Sequence, residues 1–142
     1  MNRFVVDASV AVKWYLPEEQ SDHAARLCRR DTVLEAPDLL HSEIGNVLWK
    51  RVRRRELTRD QAGEIIAALD LMPIEIYPSR LLAAAAVQIA CETNLTVYDS
   101  LYIATAMLTG SRLVTADRRV FETARAAAPL KDQLLWVGDI PR

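Results

Sequence analysis

The chain has few of the residues that form zinc sites, disulfide frameworks or membrane spans. It contains two histidines and two cysteines among 142 residues, without the spacing of zinc ligands. We expect Cys28 and Cys91 to be reduced core thiols, because both lie in apolar helical patterns. No apolar run approaches the ~18 residues of a membrane span, and no signal peptide is recognisable. We therefore expect a cytoplasmic protein with no membrane association.

The chain also lacks a strong net charge. Its formal charge of -1 means that any contact with nucleic acid requires local basic patches. Two arginine-rich segments are candidates, at residues 50–55 and at residues 118–119. The candidate RNA-binding residues in them are Arg51, Arg54, Arg118 and Arg119. The first segment ends a predicted helix, where cations also interact favourably with the helix dipole.

Catalytic motifs that would indicate other enzyme classes are missing as well. The chain has no G-x-S-x-G, no glycine-rich phosphate loop and no H-E-x-x-H. Acyl transfer, P-loop nucleotide hydrolysis and zinc proteolysis therefore have no support.

Short apolar runs alternate with longer segments of helical period, which predicts an α/β fold with a parallel sheet and helices on both faces. At 51% hydrophobic residues, a chain of this length is expected to form one domain, residues 1–142. Strands are predicted at residues 3–6, 33–36, 74–77, 112–115 and 134–137, and helices at 38–55, 59–71, 80–92 and 99–109. Thr58 begins a capping box, Ser79 is a candidate N-cap, and Gly110 ends the last helix.

Four acidic residues stand in or beside apolar segments: Asp7, Glu43, Asp99 and Asp117. Asp7 and Asp117 follow predicted strands, at the sheet edge where ligands of parallel sheets bind. Asp99 stands at the start of an apolar helix. Each of these three aspartates could instead be a helix cap.

Glu43 is not explained by capping, because it lies within the apolar stripe of its helix. A carboxylate that faces the core needs a compensating cation. Either Arg51, two turns further along, pairs with Glu43, or a divalent metal does. A set of four carboxylates favours Mg²⁺ or Mn²⁺, which could assist the attack of water on a phosphodiester. The hydroxyls of Ser9 and Thr115 are candidate auxiliary groups, although capping explains them equally well.

Taken together, these residues resemble a PIN domain, and the small size resembles the VapC-type ribonuclease toxins of VapBC toxin-antitoxin pairs. The resemblance rests on residues 4–9 (FVVDAS), 41–48 (HSEIGNVL), 98–104 (YDSLYIA) and 113–117 (LVTAD). It implies a five-stranded parallel sheet and a Mg²⁺- or Mn²⁺-dependent endoribonuclease that forms a homodimer. It also implies inhibition by a cognate antitoxin that lays a helix and an extended tail across the toxin. Asp7, Glu43, Asp99 and Asp117 match the acidic quartet of that family, while Ser9 and Thr115 match hydroxyl positions beside it.

Two other functions compete with the ribonuclease. A phospho-receiver domain is also a small parallel α/β unit, but it would have an acidic pair after the first strand, which Asp7 does not provide. A non-catalytic scaffold that binds RNA or protein is the second alternative. Cleavage of RNA that depends on a divalent metal would separate the enzyme from both.

Overall fold

Five parallel strands form the centre of the computed structural model, which describes residues 1–142. The strand order is β3-β2-β1-β4-β5. The strands are β1 (Asn2–Val6), β2 (Thr32–Pro37), β3 (Ile74–Tyr77), β4 (Arg112–Thr115) and β5 (Leu134–Trp136). All five predicted strands are confirmed, with ends that differ by no more than one residue from the prediction.

The strand order reverses at β1, and this reversal decides where a site can form. The chain moves from β1 outward to β2 and β3, and then returns to the other side of β1 to form β4 and β5. Strand β1 pairs with β4 so that Val5 lies opposite Leu113 and Val6 opposite Val114. The connections that follow β1 and β4 therefore lead to opposite sides of the sheet. A crevice opens at the carboxyl ends of two such neighbouring strands, and ligands of parallel sheets bind there.

Seven α-helices connect the strands and cover the sheet. They are α1 (Ala8–Ala11), α2 (Ser21–Ala25), α3 (Leu39–Arg53), α4 (Arg59–Asp70), α5 (Ser79–Thr93), α6 (Val97–Thr109) and α7 (Arg118–Ala126). Crossovers between parallel strands are right-handed. Helices in connections that run one way across the sheet therefore lie on one face, and helices in connections that run the other way lie on the opposite face. The predicted α/β architecture with helices on both faces is thereby confirmed.

The helix ends follow local capping chemistry. Thr58 and Gln61 form the predicted capping box of α4, and Gly110 ends α6 with a φ of 68°. Two predicted starts are wrong. Helix α5 begins at Ser79 itself, whose hydroxyl donates to Asp38 instead of capping the helix. Helix α6 begins before Asp99, because the hydroxyl of Thr96 accepts a hydrogen bond from the Asp99 backbone N–H at 3.1 Å.

Helix α6 is the most deeply buried helix, since residues 100–106 are all buried. It packs against β1, β2 and β4 and against α5. No single helix in the structure is long and apolar enough to cross a membrane. Helices α5 and α6 together have the length and composition of a membrane span, but they are bent by 115° relative to each other.

The cysteines are free, as predicted, but the prediction that they lie in the core is wrong. Cys91 is exposed because the buried face of α5 is formed by Leu82, Ala86 and Ile89, and a residue two positions after Ile89 lies on the opposite side of the helix. Cys28 is exposed in the loop that follows α2.

Helices α3 and α4 form a hairpin whose base is part of the core. Leu40, Ile44 and Leu48 of α3 are buried, and so is Leu69 of α4. The outer part of the hairpin is open, because Trp49 on α3 is 52% exposed. The hairpin is therefore fixed at one end and presents a surface at the other.

This packing predicts that alanine substitutions at two nearby leucines change the free energy of unfolding by very different amounts. Leu69 is 1% exposed and Leu71 is 86% exposed. Leu69→Ala should lower the free energy of unfolding by about 2–5 kcal/mol, because it leaves a cavity in the core. Leu71→Ala should change it by less than about 0.5 kcal/mol. Urea unfolding followed by circular dichroism measures both values, and equal effects would contradict the docking of α4 on the core.

Candidate metal centre

Asp7 lies where β1 ends and α1 begins, and its carboxylate is buried. The backbone N–H of Val10 donates to its Oδ1 atom at 3.2 Å, so Asp7 is the N-cap of α1. The hydroxyl of Ser9 donates to Oδ1, and the hydroxyl of Thr115 donates to Oδ2. Both oxygens of Asp7 therefore have defined orientations.

The two hydroxyls also connect β1 with β4. The Ser9 hydroxyl accepts a hydrogen bond from the backbone N–H of Ala116 at 3.0 Å, and the Thr115 hydroxyl accepts one from the N–H of Asp117 at 3.1 Å. Ser9 and Thr115, which were predicted as auxiliary groups, thus contact Asp7 directly and fix the loop that carries Asp117.

Burial raises the pKa of Asp7 from 3.8 to about 6, because a buried carboxylate loses its hydration. The hydrogen bonds from Ser9, Thr115 and Val10 act in the opposite direction and lower the pKa. The negative charge of Glu43 adds to the effect of burial, and the value of about 6 is the net result of all these interactions. A cation placed near Asp7 would favour the ionised form.

Glu43 lies on α3 and is half-buried, and its Oε1 atom is buried without any hydrogen-bond partner. Burial raises the pKa of Glu43, and the nearby charge of Asp99 raises it further. A buried carboxylate oxygen without a partner is costly, so Glu43 has an unfilled requirement for a cation or a donor.

Arg51 does not meet that requirement. Its guanidinium lies 2.7 Å from Glu18 and 3.3 Å from Glu56, and it makes no ion pair with Glu43. The alternative in which Arg51 neutralises Glu43 is therefore wrong. Arg51 was also predicted to bind RNA, but its guanidinium is already paired with two carboxylates.

Tyr102 also lies at this site, although the sequence did not predict it there. Its ring is buried on α6, and its hydroxyl lies near the Glu43 carboxylate, which raises the pKa of Tyr102 further beyond the effect of burial. The pair does not reach hydrogen-bond geometry, so the Tyr102 hydroxyl is also unpaired. The available signal was its position three residues after Asp99, on the same face of α6.

Asp99 and Asp117 come from the first turn of α6 and the start of α7. Asp117 is the N-cap of α7 and accepts a hydrogen bond from the Val120 N–H at 3.2 Å. Asp99 lies within α6 and accepts a hydrogen bond from Arg119 at 2.9 Å. Helix capping is thus one reason for an aspartate at positions 7 and 117, but it does not account for Glu43.

All four predicted acids, together with Ser9 and Tyr102, line one cavity of about 60 Å³. This equals about two water molecules at ~30 Å³ each. No three of the side chains are arranged to hold an ion by themselves. Mg²⁺ keeps several of its waters and is commonly bound by one or two carboxylates. A small cavity whose polar side-chain atoms are all oxygens, with an unpaired Glu43 oxygen among them, fits a partly hydrated ion of this kind.

The basic residues differ in how strongly they are engaged. Arg118 stacks on the ring of Trp136 at 3.8 Å and pairs with Glu122 at 3.5 Å. Arg54 lies exposed at the carboxyl end of α3. Of the predicted RNA-binding residues, Arg119 contacts the acidic cavity directly through Asp99.

Comparison with known families gives one match that spans most of the chain. Residues 4–126 match the PIN domain model. A curated relative, the ribonuclease VapC3 of Pyrobaculum aerophilum, is 36% identical over 124 residues, which cover 84% of this chain and 93% of the relative.

Solved structures share the fold. The crystal structure of PAE2754 from Pyrobaculum aerophilum has a TM-score of 0.71 at 24% identity, and the match covers 96% of this chain and 85% of that one. A toxin-antitoxin complex from Klebsiella pneumoniae has a TM-score of 0.63 at 17% identity, with 92% and 94% covered. At these identities the similarity shows the fold alone.

The raised pKa of Asp7 predicts how stability depends on pH without metal. Because the folded-state pKa exceeds the value of 3.8, the fold favours protonated Asp7, and stability falls as the pH rises through about 6. Asp7→Asn removes this loss. At about 1.4 kcal/mol per pKa unit, the difference between Asp7→Asn and the unsubstituted protein should grow in favour of the variant by up to about 3 kcal/mol from pH 4 to pH 7.

Urea unfolding in EDTA at several pH values measures this difference, and Asp31→Asn is the control because Asp31 is exposed. The control should follow the unsubstituted protein throughout the pH range. A constant difference between Asp7→Asn and the unsubstituted protein from pH 4 to pH 7 would contradict the role of burial.

Proposed function

The chain belongs to the PIN domain family, among its VapC-type ribonucleases, and from this we propose that its acidic cavity hydrolyses RNA phosphodiester bonds as the toxin of a toxin-antitoxin pair. One observation carries the proposal. Four carboxylates from four separate segments line one cavity at the carboxyl edge of the sheet, and one of their buried oxygens has no partner.

PIN-domain ribonucleases generally depend on a divalent metal. We propose that Mg²⁺ or Mn²⁺ is the ion here and that Asp7, Glu43, Asp99 and Asp117 hold it, directly or through water. The ion supplies Lewis-acid chemistry, since it activates water and stabilises negative charge on phosphate. Ser9 and Thr115 hold the carboxylate of Asp7 in a fixed orientation.

We propose that RNA approaches the cavity along Arg118 and Arg119, with Arg54 as a more distant contact. A phosphodiester backbone needs local cations when the net charge of the protein is near zero. Arg51 is not included, because Glu18 and Glu56 already neutralise it. We propose that the chain acts on RNA in the cytoplasm.

The proposed metal site predicts loss of cleavage when Glu43 loses its charge. Glu43→Gln should reduce RNA cleavage by about 100-fold or more, a loss typical of removing one group that stabilises charge in the transition state. Glu64→Gln is a matched control, because Glu64 is exposed on α4 and does not line the cavity. Gel analysis of structured RNAs with Mg²⁺, with Mn²⁺ and with EDTA measures the effect.

Cleavage that persists in EDTA, or full activity of Glu43→Gln, would contradict the metal site. Tight RNA binding without cleavage of any RNA in the panel would instead favour the scaffold function.

We propose that an antitoxin helix docks between α3 and α4, where the structure has a cavity of about 720 Å³. Apolar and small side chains line it: Gly45, Leu48, Trp49, Val52, Ala62, Gly63 and Ile66. Arg53 and Arg59 add positive charge to the lining. This surface suits an amphipathic helix with an apolar face and acidic flanks. The similar Klebsiella pneumoniae fold was solved in a toxin-antitoxin complex, which supports a partner of this kind.

We also propose that the chain forms a homodimer through the outer face of α5 and α6. Leu81, Val87, Met107 and Leu108 are exposed on these helices. Exposed apolar side chains on neighbouring helices are common in interfaces between proteins.

The docking proposal predicts that a large side chain in the groove weakens antitoxin binding and leaves RNA cleavage unchanged. A Cβ atom built at Gly63 would meet nothing within 4 Å, so a side chain there starts from open space in the groove. Gly63→Phe should weaken binding of the cognate antitoxin by about tenfold or more, because the ring occupies the place of the partner helix. RNA cleavage by the free toxin should stay unchanged.

Gly63→Ala is the control, since a methyl group leaves most of the groove open. Calorimetry with the purified antitoxin compares the three proteins. Equal affinity of Gly63→Phe and the unsubstituted protein would place the antitoxin elsewhere.

A further inference from the structure

Arg119 pairs with one of the four acids that line the cavity, from within the same chain. Its Nη2 atom lies 2.9 Å from the Oδ2 atom of Asp99. Asp99 is the only one of the four acids with a cationic partner, because Asp7, Glu43 and Asp117 make no ion pair. The cation therefore lies on a residue that would hold the metal.

The position of Arg119 is unfavourable for the helix that carries it. Arg118 and Arg119 are the first two residues of α7, where the helix dipole favours negative charge. The first turn of α7 contains no acidic residue, and only the N-cap Asp117 offsets the two cations. The helix dipole therefore does not favour Arg119 at this position, and its contact across to Asp99 of α6 is the interaction that offsets this cost.

Arg119 is also free to leave Asp99. Its side chain is 60% exposed and its hydrogen bond to Asp99 is its single polar side-chain contact. Arg118 differs, because it stacks on Trp136 and pairs with Glu122. An exposed ion pair of this kind contributes little net stability, so a divalent ion can displace it.

We propose that Arg119 is a tethered counter-ion that neutralises Asp99 in the metal-free protein and turns to an RNA phosphate when a divalent ion takes its place. The planar guanidinium suits both partners, since carboxylate and phosphate each accept two parallel hydrogen bonds from it. This inference rests on the proposed function, because it assumes that Asp99 helps to hold the ion. It assigns Arg119 two opposing effects: it weakens metal binding and it strengthens RNA binding.

Calorimetric titration with Mn²⁺ alone tests the first effect. Arg119→Gln should bind Mn²⁺ about two- to fivefold more tightly than the unsubstituted protein, the range that an exposed ion pair supports. Arg119→Lys should stay close to the unsubstituted protein, because it keeps the competing charge. Arg118→Gln removes the same charge one residue away and should change the affinity less than Arg119→Gln does.

The second effect is measured with RNA at saturating Mn²⁺. Arg119→Gln should raise the KM for RNA, and the slope of log affinity against log salt should fall in magnitude by about one, as expected for one lost phosphate contact. A purely structural role for Arg119 in α7 would weaken the binding of both ligands. Tighter metal binding together with weaker RNA binding is therefore specific to the proposal.

The outcomes separate this inference from the proposed function. If Arg119→Gln and the unsubstituted protein bind Mn²⁺ equally while the unsubstituted protein cleaves RNA, the inference is overturned and the ribonuclease stands. Weaker Mn²⁺ binding by Arg119→Gln overturns it as well. If the unsubstituted protein neither binds Mn²⁺ nor cleaves RNA, the proposed function fails and the inference fails with it.

Discussion

The carboxylate of Asp7, buried between the ends of β1 and β4, is the constraint on which the site depends. An ionised carboxylate removed from water costs several kcal/mol unless donors surround it. Ser9, Val10 and Thr115 supply those donors, and Thr115 is 108 residues away in the chain. The hydrogen bonds can form only when β4 lies beside β1, so the strand order and the site require each other.

The electrostatics of the cavity oppose stability and favour ion binding. Burial raises the pKa values of Asp7 and Glu43, and each carboxylate has another acid nearby that raises its pKa further. Any cation that enters the cavity stabilises its ionised carboxylates, whether the cation is a metal ion or a guanidinium. Arg119, which donates a hydrogen bond to Asp99, is the chain's own cation at this site and neutralises one of the acids. Residues that serve a ligand are commonly held at some cost to the stability of the fold.

Much of the fold and of the site was predictable, because both follow from periodicity and from strand ends. Apolar runs predicted the five strands, and an acid one residue after β1 and another two residues after β4 had to meet at one edge. Glu43 was predictable because it interrupts an apolar stripe. The rest depends on tertiary contacts that spacing does not show. Local sequence offered Arg51 as the partner of Glu43, but Glu18 lies closer in the fold. The contact of Arg119 with Asp99 joins two helix starts that are 20 residues apart. Helix α7 was not predicted because it is only nine residues long and rich in charged residues, although Val120, Phe121 and Ala124 give it an apolar face.

Helix α3 separates the acidic cavity from the groove between α3 and α4. With about 100° per residue, Gly45 lies about 200° and Val52 about 180° around the helix from Glu43. The buried stripe that contains Leu40 and Ile44 lies between these two faces. One straight helix in the groove therefore cannot reach the acids, because the core side of α3 is in the way. A partner that covers both surfaces needs a helix for the groove and a second, extended segment that passes around α3 to the cavity. The geometry of a single helix thus determines the minimum architecture of an inhibitor that acts on both.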